Sequence, residues 1–138
     1  MKTRVTWLED MTYVAQSPSG HAMVMDGPPE LGGRNLGPRP MEMLLMGLGG
    51  CTAIDVVNIL RKSRQELRGC EVHIESERAK SDPKVFTTLH VHFILTGNHL
   101  SAKHIERAIQ LSAEKYCSAS IMLGKTAQIT HTFEIRDA

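Results

Sequence analysis

Residues 40 to 60, PMEMLLMGLGGCTAIDVVNIL, constrain the fold more than any other stretch. Between Met41 and Leu60 only Glu42, Thr52, Asp55 and Asn58 are strongly polar. A helix that is greasy on nearly every side has to be buried, in protein or in a membrane. Glu42, Asp55 and several glycines interrupt the run, which makes a membrane span the poorer reading. Pro40 suits a first helical turn, where its missing N–H costs nothing. At about 1.5 Å per residue the helix would be roughly 30 Å long, the diameter of a small domain. The pattern predicts a buried central helix presenting one thiol, Cys51, near its middle. One subunit of this length cannot cover so many apolar sides, so a homodimer is expected.

A chain of 138 residues is expected to form a single domain, residues 1–138, with a real core. The formal charge is +1 and the basic residues are dispersed, which speaks against a nucleic-acid partner. The N-terminal MKTRVTWLED lacks the apolar core of a signal peptide, and no membrane association is expected. Cys51, Cys70 and Cys117 are an odd number at wide spacings, unlike a secreted disulfide framework. A cytoplasmic protein is expected, in which a disulfide would be catalytic or redox-sensing.

Residues 2–8, 12–16 and 21–25 read as three short strands in a meander, with turns at Glu9-Asp10 and Ser17-Pro18-Ser19-Gly20. Residues 26–39, rich in proline and glycine, form a long loop within the domain, and such loops are often functional. The loop carries Arg34 and Arg39. After the central helix, Val72 and Ile74 alternate with polar residues. In the next strand Val85, Thr87, Leu89, Val91, Phe93 and Leu95 form one face, so the two strands read as a hairpin. Ser101 is a credible cap for a second helix whose buried stripe is Ile105, Ala108, Ile109, Ser112 and Tyr116. A short extra helical turn is expected around KYCSASIML, then a last strand over 127–135. The order βββ-α-ββ-α-β is α+β, with strands pairing into antiparallel sheets.

Cys51 and Cys117 are the sharp chemical candidates, although free cysteines often do no more than fill a core. Gly47, Gly49 and Gly50 precede Cys51, each costing a helix about 1 kcal/mol relative to alanine. Such a cost is tolerated for a close approach, a local break or a site. A break at the glycine pair would put Cys51 at a new helix N-terminus, which lowers a thiol pKa. Asp55, one turn further on the same face, disfavours a thiolate unless a cation balances it. Arg34 or Arg39 could supply that cation. Equally, Asp55 could bond backbone or an arginine away from Cys51. His90 and His92 share a strand face that reads as solvated, so no metal site is expected. His131 falls on the apolar face of the last strand and reads as a core histidine with one satisfied hydrogen bond. Cys70 has no obvious partner.

The Gly/Pro loop with arginine, PMEMLLMGLGGCTAIDVV, the hairpin, the second helix and KYCSAS before a last strand together resemble the OsmC/Ohr family of thiol-dependent hydroperoxidases. The GGC-S/T-A-x-D-V-V form looks most like that family's YhfA-like branch. The likeness implies an OsmC-like α+β fold: an intertwined homodimer whose long central helices are enclosed by antiparallel sheets. It also implies a peroxidatic Cys51, a resolving Cys117, and no metal or organic cofactor. Family hydroperoxidases carry a glutamate directly after the helix-starting proline, paired with an arginine. Here Met41 takes that place and Glu42 follows, rotated by about 100°, so the role does not pass directly to Glu42. Arg34 and Arg39 both stand for the arginine, with Arg34 favoured.

The leading expectation is a peroxidase for organic hydroperoxides, serving oxidative stress defence and recycled by an external dithiol. The alternative is a thiol protein of the same fold that binds a small apolar or sulfur-containing ligand, with Cys51, Glu42, Asp55 and Arg39 as contacts.

Overall fold

In a computed structural model that describes residues 1–138, the early strands form the expected meander. β1 (Arg4–Glu9), β2 (Thr12–Gln16) and β3 (Ala22–Asp26) pair antiparallel in that order. Asp10 turns the first corner with φ 49°, a left-handed conformation that short acidic side chains tolerate. The chain makes two compact units, residues 1–46 and 47–138.

In the first unit the loop after β3 is organised by one buried carboxylate. Asp26 accepts backbone hydrogen bonds from Gly27 at 3.0 Å, Arg34 at 3.1 Å and Leu36 at 3.1 Å. Burial works to raise its pKa, but those amides and the Thr12 hydroxyl outweigh burial and hold it below its ordinary value. Gly33 has to be glycine, because a Cβ there would lie 1.8 Å from the Gly27 carbonyl oxygen. The glycines thus let the loop fold tightly around Asp26.

α1 (Pro40–Lys62) starts where the loop ends. Glu42, at its third position, accepts from the Arg39 N–H at 2.8 Å, one half of a capping box. The helix is unbroken, so the glycine pair does not give Cys51 a new N-terminus, and its helix-dipole activation falls away. The close approach is realised instead. A Cβ on Gly49 would lie 3.4 Å from Ile74 Cδ1. Leu48, Thr52, Val56 and Leu60, four residues apart, make the buried stripe. Ile54, on another side, is 71% exposed, and Leu44 and Met46 are also exposed.

The second unit is built on β4 (Glu66–Arg78), β5 (Phe86–Asn98) and β6 (Gln128–Asp137), with β5 central. β4 and β5 form the expected hairpin, but β6 runs parallel to β5. The wholly antiparallel expectation fails here for a topological reason. Between β5 and β6 the chain crosses over through α2 (Ala102–Leu111), a π-helical turn (Ser112–Tyr116) and α3 (Ser118–Leu123). A crossover of that kind is what parallel pairing requires.

Leu89, Val91, Phe93 and Leu95 fill the core as their alternation predicts. Val85 does not join them; Phe86 does. A bulge faces Glu77 and Arg78 with Thr88 and Phe86, so the extra residue Thr87 shifts the alternation by one. Ser101 caps α2 by accepting from the His104 N–H at 3.3 Å. Ile105, Ala108, Ile109 and Ser112 are buried, but Tyr116 is exposed. The π-helical turn takes in more residues than an α turn and rotates Tyr116 off the stripe.

Candidate active site

Within the second unit the structure places Cys51 of α1 near Cys117, between the π turn and α3, close enough for the one thiol to perturb the other. None of the three cysteines is joined in a disulfide. Cys51 is half-buried, whereas Cys117 is fully buried. Burial pushes the Cys117 thiol above its ordinary pKa, and the neighbouring Cys51 pushes the same way. Opposing them, the Ser120 hydroxyl and N–H favour the thiolate without prevailing. The Ser120 N–H donates to Cys117 Sγ at 3.3 Å, making the sulfur the cap of α3.

Cys117 is held by Ser112. The Cys117 N–H donates to the Ser112 carbonyl at 2.7 Å, across the π turn. The Ser112 hydroxyl donates to Asp55 Oδ2 at 2.9 Å and lies 2.8 Å from Thr52 Oγ1. A serine hydroxyl has one hydrogen, so Thr52 must donate to Ser112, which donates to Asp55. Asp55 therefore binds the hydroxyl of a different element; of its two open readings, backbone or arginine, neither is found. Thr52 and Ser112 are the residues that sequence reasoning missed. Ser112 was legible only as one more position of an α2 stripe, and Thr52 only as a polar neighbour of Cys51.

Arg34, Arg39 and Glu42 lie in the first unit. Arg34 pairs with Glu9 at 3.5 Å and Asp10 at 3.4 Å, and reaches Thr12 Oγ1 at 3.4 Å. Arg39 Nη1 donates to Asn35 Oδ1 at 2.6 Å, while its N–H is taken by Glu42. Glu42 is thus a helix cap. Cys70 lies on β4 opposite Leu95, with burial raising its thiol pKa.

The His90–His92 face is more connected than a merely solvated one. His90 bonds Thr130 and Thr132, and His92 bonds Thr132 and Glu134, along β5 and β6. No group of three or more His, Cys, Asp or Glu side chains is placed to hold a metal ion. His131 lies 6.4 Å from the Phe93 ring, on the core side as expected. Its expected hydrogen bond is missing. Nε2 is buried without a partner, as is the Ser120 hydroxyl oxygen.

The sequence matches the family model for OsmC-like proteins over residues 32–132. The chain belongs to the OsmC-like family. This OsmC-like chain is 48% identical to Protein YhfA of Escherichia coli (strain K12) over 135 residues, 98% of each chain. Among solved structures it resembles a hypothetical protein from Aquifex aeolicus, at 25% identity and a TM-score of 0.87, covering 99% of this chain and 96% of that one. It also shares the fold of an organic hydroperoxide resistance protein, OsmC, from Legionella pneumophila, at 16% identity and a TM-score of 0.70, each chain 97% covered.

Proposed function

We propose that this protein is a cytoplasmic, thiol-dependent reductase of organic hydroperoxides. The observation that carries the reading is the proximity of the Cys51 and Cys117 thiols, one half-buried and the other enclosed. The Cys51 thiolate attacks the distal peroxide oxygen, the O–O bond breaks, and the alkoxide leaves as the alcohol after protonation. Cys51 becomes a sulfenic acid. The Cys117 thiolate attacks that sulfur, a disulfide forms, and hydroxide leaves as water. An external dithiol then restores both thiols by exchange. The chemistry draws on sulfur alone, so no metal or organic cofactor is assigned. After sub-stoichiometric cumene hydroperoxide, peptide mapping should show Cys51 joined to Cys117 as the main disulfide. Finding Cys70 in that disulfide would overturn the assignment.

Arg34 is the cation proposed to favour the Cys51 thiolate, and to do so it would exchange its carboxylate partners Glu9 and Asp10. That need supports a second reading, in which the same fold binds a small apolar or sulfur-containing ligand at Cys51 without reducing it. The readings separate on turnover: hydroperoxide consumed catalytically with a dithiol supports the first, and Cys51 left reduced beside intact hydroperoxide supports the second.

The working unit is proposed to be an intertwined homodimer. Leu44, Met46 and Ile54 leave large apolar side chains of α1 exposed in a single chain, and a second copy would cover them. Sedimentation at micromolar concentration should give a dimer; a stable folded monomer would exclude it.

A further inference from the structure

Cys117 poses a chemical problem that its nearness to Cys51 and its tie to Ser112 leave open. A fully buried thiol must lose a proton before it can attack, and burial has already made that harder. Two buried polar atoms have no partner: Ser120 Oγ, on the residue whose N–H holds the Cys117 sulfur, and His131 Nε2. Such orphans are rare in folded proteins and call for an explanation. Ser120 and His131 line one hollow of about 360 Å³, with Ala113, Glu114, Gly124 and Ile129 among its walls. The hollow shares Ala113, Glu114 and His131 with an adjoining groove of about 620 Å³, which Glu106 and Gln110 also line.

Ser120 touches both sides of the problem. Its N–H holds the Cys117 sulfur, and its hydroxyl lies near enough to favour the thiolate. Yet that hydroxyl makes no well-formed hydrogen bond to the sulfur or to any other atom. We propose that Ser120 and His131 form the proton exit of Cys117: the thiol proton passes to the Ser120 hydroxyl as that hydroxyl's own proton passes to Nε2 of His131. A water in the hollow, which is roomy and polar enough to hold one, can bridge the pair. Cys117 is left as the thiolate and His131 as the imidazolium. The thiolate attacks Cys51, and His131 hands its proton to solvent through the groove where Glu106 and Glu114 are exposed.

The imidazole is suited to the role. Burial, with a smaller contribution from His90, lowers its pKa, so it is neutral and able to accept at neutral pH. Acceptance at Nε2 requires the tautomer with hydrogen on Nδ1. Glu106, Glu114 and His90 are the titratable groups around it.

The proposal rests on the resolving role given to Cys117, so the test replaces the hydroperoxide with an aryl disulfide, DTNB. In a Cys70→Ser background, Cys51 is loaded as its mixed disulfide with thionitrobenzoate and the labelled site is confirmed by mass spectrometry. Attack by Cys117 joins the two cysteines and releases thionitrobenzoate, read by absorbance. Ser120→Ala and His131→Gln should each slow release by roughly 10²-fold at neutral pH. Ser120→Ala removes only an unpartnered hydroxyl, so its stability should be unchanged or higher. The wild-type rate should level off once His131 is neutral, whereas both variants should keep accelerating with pH. Free imidazole should partly restore His131→Ala. Unchanged rates and pH profiles in the labelled variants would overturn the proton exit, whatever the fate of the peroxidase reading. Slowed release from a protein that never reduces hydroperoxide would leave the exit standing and remove the peroxidase.

Discussion

Cys51→Ser should reduce dithiol-driven consumption of organic hydroperoxide to the uncatalysed rate. A serine hydroxyl cannot stand in for the thiol, because reducing the peroxide requires an atom that can be oxidised to a sulfenic acid and back. Cys117→Ser should behave differently. Cys51 would still be oxidised once, giving a burst of about one equivalent. The sulfenic acid would then lack its partner and persist, trapped by dimedone or driven to sulfinic acid by excess hydroperoxide. Turnover would fall to whatever the external dithiol achieves by attacking the half-buried Cys51 directly. Cys70→Ser, on β4, should leave turnover unchanged. Full steady-state activity in Cys51→Ser would end the peroxidase reading, and a wild-type rate without sulfenate build-up in Cys117→Ser would end the resolving role alone.

How much of this was legible in the sequence differs between elements for physical reasons. α1 was, because Pro40, the apolar run and the basic Arg61–Lys62 end are local signals that agree. The meander and the hairpin were legible from alternation. Exchange of Val85 for Phe86 was not, because a bulge obeys the pairing of two strands rather than the pattern of one. The parallel β6 was hidden for the same reason: strand direction belongs to the crossover, not to residues 128–137. At the site, the cysteines stood out by residue type. Glu42, Arg39 and Asp55 stood out too, but their partners did not. Glu42 bonds the Arg39 amide three positions before it, Arg39 reaches Asn35, and Asp55 reaches a serine far along the chain. The linchpin, Ser112, is a small polar residue on a helical stripe, and only the π turn reveals what its hydroxyl and carbonyl join.

Ser112→Ala should cost about 1–3 kcal/mol of stability and impair disulfide formation beyond what that cost explains. The hydroxyl sits in a fully buried side chain between Thr52 and Asp55. Removing it leaves the Thr52 hydroxyl, itself 1% exposed, with no acceptor, and a buried donor left unpaired carries the full desolvation penalty. The same substitution unties α1 from the π turn that carries Cys117 on the Ser112 carbonyl. Since a disulfide forms only when the two Cα atoms are within about 7 Å, loosening that tie should slow Cys51–Cys117 closure and let more Cys51 reach sulfinic acid under peroxide. Thr52→Val should recover much of the stability when combined with Ser112→Ala, because both ends of one hydrogen bond are then apolar. It should not recover closure, because the tie from Ser112 to Asp55 is still gone. Urea titrations and quenched-flow thiol counts on the single and double variants separate these effects. If Ser112→Ala is as stable as wild type and closes its disulfide as fast, the Thr52–Ser112–Asp55 relay is a contact without consequence, and the cysteine pair is held by something else.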